Sequence, residues 1–246
     1  MNDSPLARPL DLPLYSIGEI ATEPVLVVAP HPDDETLGCA GAIGLLRARG
    51  YTVNILVVSD GTQSHPNSRQ YPATALRDVR ESETRFAMAL LGVEPSHITF
   101  LQLPDGAIPN AESPDFPAVV NECHVYLKSV NPKVVFVPWR ADPHPDHRAA
   151  WQIISAGLQQ AMLSPKVMEY PIWDWDLEQR QLLNQDFYHS WRLDISEVVA
   201  LKHQAIAAYR SQITNLIDDD PTGFRLTPEM LSNFAHSWEI YLQENS

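Results

Sequence analysis

Apolar positions along the chain fall into short unbroken runs separated by longer stretches with helical spacing. Val25 to Ala29, Val53 to Val58, His97 to Leu101 and Lys133 to Val137 are dominated by β-branched and aliphatic residues, the pattern of strands covered on both faces of a parallel sheet. Between them, Glu35 to Arg49, Thr74 to Leu91 and Asp115 to Val130 repeat apolar residues with a helical period. Gly50 and Gly92 supply stops, and Thr74 an N-cap. Farther on, Arg148 to Met162 reads as a helix, Lys166 to Trp173 and Phe187 to Ile195 as two more strands, and Ser196 as the cap of a helix reaching about Gln212. Thr227-Pro228-Glu229 opens a last helix, with Met230, Phe234, Trp238 and Tyr241 on one face as core packing.

Strands alternating with helices imply an α/β, three-layer sandwich around a mainly parallel sheet. At 246 residues the length suits a single domain, taken as 25–246, with the proline-rich residues 1–24 as an extended arm. The loops after parallel strands share one edge, where ligands of such sheets bind.

The 44% hydrophobic share suffices for a core, and the net charge of −14 comes without any basic cluster. This disfavours nucleic acid as a partner and favours neutral or cationic small molecules. Neither a secretory signal nor a membrane-spanning run is evident, so the expectation is a cytoplasmic protein with no membrane partner. Two cysteines, Cys39 and Cys123, make no disulfide framework and point to a reducing compartment. An exposed strand edge or the aromatic last helix offers a surface for a homo-oligomer.

Two polar boxes stand out against this pattern. APHPDDETLGCAG (Ala29 to Gly41) follows the first apolar run, and DPHPDH (Asp142 to His147) follows the fourth. His31 and Asp34, three apart, can meet one ion where a loop enters a helix, and His147 is the natural third ligand. One carboxylate and two imidazoles that leave a position open form the pattern of a catalytic zinc site, and the same donors accept Fe2+ or another divalent metal. Such an ion needs a proton acceptor beside it. Asp33 is assigned as general base, His144 as donor to a developing oxyanion, and Asp146 as the residue that orients His144. Glu35 reads equally as a partner of a ligand or as an ordinary first-turn acid.

With HPDDETLGCAG, LPDG (Leu103 to Gly106), HPDH (His144 to His147), Lys202 and YRSQ (Tyr209 to Gln212) in this order, the chain resembles the PIG-L, or LmbE-like, deacetylase family. The resemblance implies a Rossmann-like fold and zinc-dependent removal of acetyl from an N-acetylglucosamine-type sugar or its conjugate. It carries His31, Asp34 and His147 over as metal ligands, Asp33 as base, His144 as the oxyanion-stabilising or acid histidine, and Asp146 as its orienting partner. Arg80 and Glu81 resemble the family's Arg-Glu pair, expected to reach the sugar or tie their helix to the active-site edge, and read equally as an ordinary solvated helix charge pair. Asp105 and Arg140 are further candidates for substrate contact, and Trp139 for stacking. The alternatives are an amidase for a thiol conjugate or another N-acyl substrate, and a non-catalytic carbohydrate-binding module.

Overall fold

The computed structural model describes residues 8–20, 22–175 and 188–245. Eight strands form one sheet: β1 (Leu14–Tyr15), β2 (Val25–Ala29), β3 (Val53–Ser59), β4 (Ile98–Leu103), β5 (Val134–Pro138), β6 (Lys166–Tyr170), β7 (Tyr188–Asp194) and β8 (Trp238–Glu244). Their spatial order is β1-β7-β8-β6-β5-β2-β3-β4. Only β8 runs against its neighbours, β6 and β7; the remaining pairings are parallel. The expected α/β sandwich with a mainly parallel sheet is thus the observed fold.

Side chains alternate along the central strands, so each strand feeds two cores. Val25, Val27, Val53, Ile55 and Phe136 pack with α1 (Asp34–Ala48), α2 (Ala73–Leu90) and α5 (Val199–Ile206). Leu26, Val28, Leu56, Val135 and Val137 pack on the other face with α3 (Phe116–Val130) and α4 (Pro145–Ala161). This two-sided burial explains the absence of polar alternation in the runs. Cys39 and Cys123 belong to opposite cores, and both are free. No helix among the described residues is long and apolar enough to cross a membrane.

From β2 the chain winds outward through β3 and β4, then returns to place β5 on the other side of β2. The carboxyl ends of β2 and β5 therefore border the switch point, where loops diverge and leave a crevice. Both histidine boxes lie there.

Three expectations fail. The last helix is only α7 (Pro228–Ser232), although Thr227 caps it as expected by accepting the Met230 amide at 3.2 Å. Trp238 and Tyr241, assigned to that helix face, instead lie in β8, which aligns seven residues against β7. Trp, Ile and Tyr suit a strand, and this pairing outweighs a helical spacing of four aromatic and apolar positions. The helix expected from Ser196 to Gln212 is also divided. Val198, not Ser196, precedes α5, and a short α6 (Arg210–Ile213) follows a break at which Glu83 accepts the Ser211 amide and hydroxyl. Finally, part of the expected N-terminal arm is structural: Leu14–Tyr15 extends the sheet beside β7, while Ile17 and Ile20 are buried. Phe187, expected to begin β7, lies outside the described residues, as do residues 1–7 of the arm.

Helix α1 is buried from Asp34 to Leu46, so its backbone has protein neighbours on every side. In a regular helix the Gly41 and Ala42 amides face the carbonyls of Leu37 and Gly38. Here those amides also donate to the Glu239 carboxylate, at 2.7 and 2.9 Å. Lys202 Nζ donates to both Leu37 O and Glu239 Oε1 at 2.8 Å, and the Tyr241 hydroxyl reaches Gly38 O. A buried ion pair from α5 and β8 thus grips the middle of the helix whose first turn carries the HPDD acids. Removing one partner leaves the other charge buried and unpaired, so Lys202→Met is expected to lower the unfolding free energy by about 3 kcal/mol, measured by urea denaturation.

Candidate active site

The β2 run ends at Ala29, and the Pro30-His31-Pro32 turn delivers His31 to the crevice before α1 begins. Across it, β5 ends at Pro138. His144 is the N-cap of α4, and Asp146 and His147 occupy its first turn. The three imidazoles converge, with ring centroids 4.9 to 5.3 Å apart.

Asp34 lies between two of them. Its Oδ2 is 3.1 Å from His31 Nδ1 and 3.2 Å from His147 Nε2. The far nitrogen of each ring faces other carboxylates: His31 Nε2 is 3.2 Å from both Asp105 Oδ1 and Asp146 Oδ2, and His147 Nδ1 is 3.2 Å from Asp142 Oδ1. His147 is fully buried, yet neither ring nitrogen makes an aligned hydrogen bond. These donors fit a divalent cation. Ligands held about 2.0–2.1 Å from a tetrahedral zinc lie roughly 3.3 Å from one another, close to the observed spacings. A ligating histidine typically turns its other nitrogen to a carboxylate, as both do here. His31, Asp105 and Asp146 also form a group with donor spacing. In that group, however, the acids already accept backbone amides: Asp146 from Gly106 at 2.7 Å, and Asp105 from Gln63 at 2.8 Å. They are better read as the outer partners of His31.

Asp33 adopts φ 126°, unusual for a residue with a side chain. Glu35 Oε2 accepts its amide at 3.1 Å, and Arg80 Nη2 lies 3.3 Å from its carboxylate. The same guanidinium donates to Pro32 O at 2.6 Å and Gly61 O at 2.9 Å. Burial pushes the Asp33 carboxyl up to about 8, against the opposing pull of Arg80. Asp34 is the reverse case. Burial would raise it, but His147 and His31 hold it well below the usual carboxylate range. The two adjacent acids are therefore tuned apart, one able to take a proton and the other fixed as an anion.

Glu35 is fully buried, and burial raises it to about 7 in spite of a short hydrogen bond from the Tyr209 hydroxyl. Neither of its two readings describes its contacts: its carboxylate accepts the Asp33 amide and the Thr36 and Tyr209 hydroxyls and touches no ligand side chain. The Asp146 amide donates to His144 Nδ1 at 3.2 Å. Burial, then His147 and His31, lower the His144 pKa to about 4, so the neutral ring carries its proton on Nε2.

Three assignments need correction. Asp146 orients His144 through its backbone amide, while its carboxylate faces His31 and the Gly106 loop. Arg140 points elsewhere: Glu169 and Glu244 pair with it, and Trp151 and Tyr188 flank it. Trp139 is buried in the wall beside Ala141 and Leu242. Arg80 is buried and Asp105 half-buried, and both line the cavity that contains His31, Asp33, Asp34 and His144. The Glu81 beside Arg80 instead accepts from Gln102. Sequence reasoning missed Asp142, although it heads the second box, and gave Tyr209 of YRSQ no task. It also missed Trp173 and Phe224, which border the cavity without any motif.

The family model for GlcNAc-PI de-N-acetylase, PIG-L, matches residues 26–157. A diacetylchitobiose deacetylase of Thermococcus kodakarensis is 27% identical over 201 residues, covering 76% of this chain and 69% of its own. A probable N-acetyl-alpha-D-glucosaminyl L-malate deacetylase 2 of Bacillus cereus is 25% identical over 199 residues, covering 79% and 86%. Among solved structures, N,N'-diacetylchitobiose deacetylase from Pyrococcus horikoshii superposes with a TM-score of 0.59 at 24% identity, over 86% of this chain and 75% of that one; at that identity the likeness concerns the fold.

If Asp142 orients His147 for a metal, Asp142→Asn is expected to weaken zinc affinity about 10- to 100-fold, measured by competition with a chromophoric chelator.

Proposed function

The chain belongs to the PIG-L family of GlcNAc-PI de-N-acetylases, and on that premise we propose that it hydrolyses the acetamide of an N-acetylglucosamine-type sugar or its conjugate. The observation that carries this reading is the pair of proton-handling groups, Asp33 and His144, lining one cavity with His31 and Asp34. The named substrates of the two curated relatives share an N-acetylated glucosamine and differ in what is attached to it. The amide is thus the common element.

His31, Asp34 and His147 would hold the cation; zinc suits the mixed nitrogen and oxygen donors, and Fe2+ is accommodated equally. A divalent cation supplies Lewis acidity, lowering the pKa of a water and polarising the acetamide carbonyl. The Asp33 carboxylate takes the proton of the attacking water and passes it to the departing amine, so the C–N bond breaks into acetate and a free amino sugar. His144 donates from Nε2 to the carbonyl oxygen as that oxygen gains charge. Arg80 holds Asp33 and its loop in place, and Asp105 with Gln63 is available to sugar hydroxyls at the cavity wall.

Asp33→Asn keeps the metal donors and is expected to lower kcat by about 10²- to 10⁴-fold, followed as acetate release, with metal content unchanged. Full activity in this variant would remove Asp33 as the base. Chelation should abolish turnover and zinc or Fe2+ restore it.

The pH profile provides a second test. Asp33 must be ionised to act, so kcat/KM falls as pH drops through its pKa. Burial holds that pKa high, while Arg80 and a bound cation lower it. Arg80→Gln removes one lowering charge and should move the acid limb to higher pH. An unmoved limb would detach Arg80 from the base.

A further inference from the structure

Two residues of the signature segments take no part in the cavity itself: Glu35, the last acid of HPDDE, and Tyr209, which opens YRSQ. Their side chains meet in the core behind it. The Tyr209 hydroxyl donates to Glu35 Oε1, and the Thr36 hydroxyl donates to the same oxygen at 3.2 Å. Glu35 Oε2 accepts the Asp33 amide at 3.1 Å, and Thr84 Oγ1 lies 3.3 Å from the Tyr209 hydroxyl. Glu35, Thr36, Thr84 and Tyr209 are all buried, and none of them is among the described residues that line the cavity.

Packing does not account for this group. Tyr209 belongs to the apolar core of Leu37, Met88 and Ala205, where a phenylalanine ring would fill the same space. A carboxylate and a hydroxyl are costly in that setting unless each is paired. What their pairing adds is a fixed acceptor for one amide, and that amide belongs to Asp33, whose φ of 126° is unusual for a residue with a side chain. Because φ is the rotation about the N–Cα bond, holding the Asp33 N–H in one direction also holds its Cβ, and the carboxylate beyond it, in another.

Helix α2 supports both ends of this relay from one face, since Arg80, Glu83 and Thr84 have the spacing of neighbours on a helix surface. Arg80 reaches the Asp33 carboxylate and Pro32 O. Glu83 accepts the Ser211 amide at 2.8 Å and hydroxyl at 2.6 Å, which fixes the break between α5 and α6. Tyr209 stands in that break, with a non-helical φ of −80° and ψ of 60°. The interruption is thus the place from which its ring reaches Glu35.

We propose that Tyr209 is a positioning residue for the reaction: through Glu35 it holds the Asp33 backbone, and hence the carboxylate that takes the proton of water, in the geometry for transfer. The proposal rests on the deacetylase reading and gives that reaction a determinant outside the cavity.

Tyr209→Phe removes one hydroxyl and no carbon. On the zinc-loaded full chain, with acetate release from N-acetylglucosamine, kcat per folded molecule should fall about 10-fold, while KM and zinc affinity stay within about 2-fold of the unsubstituted chain. Urea denaturation supplies the folded fraction. Lower stability with kcat unchanged, a higher KM at constant kcat, or a loss that saturating zinc restores would each overturn the proposal. The route through Glu35 is tested with Glu35→Met, which keeps the side-chain length without the acceptor. It should lower kcat at least as far, and adding Tyr209→Phe to it should cost less than about 2-fold more; losses that multiply sink the route. Exchange of the Asp33 amide, followed by NMR, reports on the same contact without turnover and does not require Glu35→Met to fold. It should quicken about 10-fold in Tyr209→Phe, and an unchanged rate ends the proposal. If the unsubstituted chain releases no acetate, the deacetylase reading fails, and the amide exchange alone decides whether Tyr209 holds Asp33.

Discussion

The backbone of Asp33 is the constraint on which this site depends. Held at φ 126°, it costs on the order of 1–3 kcal/mol and persists because groups from distant elements over-determine it. Glu35 accepts its amide, Arg80 from α2 engages its side chain and the carbonyl of Pro32, and Tyr209 from the segment after α5 donates to Glu35. Gly61 completes the arrangement: with φ +65°, a Cβ there would lie 2.8 Å from Arg80 Nη1 and 3.0 Å from Pro32 Cδ. The consequence is chemical. Two consecutive aspartates meet different neighbours, Asp34 the histidines and Asp33 the guanidinium.

The same helix is secured again one turn farther along. The Lys202–Glu239 pair reaches the backbone of Leu37, Gly41 and Ala42 from opposite ends of the fold's later half. An ionic clamp also fixes rotation, because Lys202 Nζ and the Glu239 carboxylate meet the Leu37 carbonyl and the Gly41 and Ala42 amides in one register only. Since α1 begins at Asp34, rotation of the helix would carry a metal donor with it. The antiparallel β8 is thus explained by position: inserted between β6 and β7, it presents Glu239 and Tyr241 to α1.

Much of this was legible along the chain. Central strands buried on both faces leave an unmistakable run of β-branched residues, and the two boxes follow two of those runs, so their convergence follows from the topology of parallel sheets. What was not legible came from long-range pairing. Met230, Phe234, Trp238 and Tyr241 satisfy a helical period by spacing alone, whereas β8 exists because β7 offers it seven partners. Asp146 was given the right neighbour and the wrong atom: adjacency in sequence brings its amide to His144, while its carboxylate is drawn to His31 and the Gly106 amide across the crevice. Arg140 beside the box suggested a substrate contact, but residue 140 still follows the β5 direction, and Glu169 on neighbouring β6 captures it. Asp142, nearly invisible as one more loop acid, joins His147, the His144 amide and the Ile172 and Trp173 amides.

These contacts also explain why so acidic a crevice is compatible with a folded chain. Asp33, Asp34, Glu35, Asp105, Asp142 and Asp146 gather around three imidazoles and one guanidinium. Solvent screens such repulsion poorly in a buried setting, so each acid must be balanced individually. Burial favours protonation at Asp33, against Arg80, and at Glu35, while the histidines together with backbone amides stabilise Asp105, Asp142 and Asp146. Asp34 is the acid that meets two of the histidines at once, His147 and His31. It is the acid whose charge a divalent cation shared with both imidazoles would balance most directly, and those imidazoles already have their outer nitrogens turned to Asp105, Asp146 and Asp142. The electrostatics that tolerate the cluster and those that would bind the metal thus come from the same division of partners.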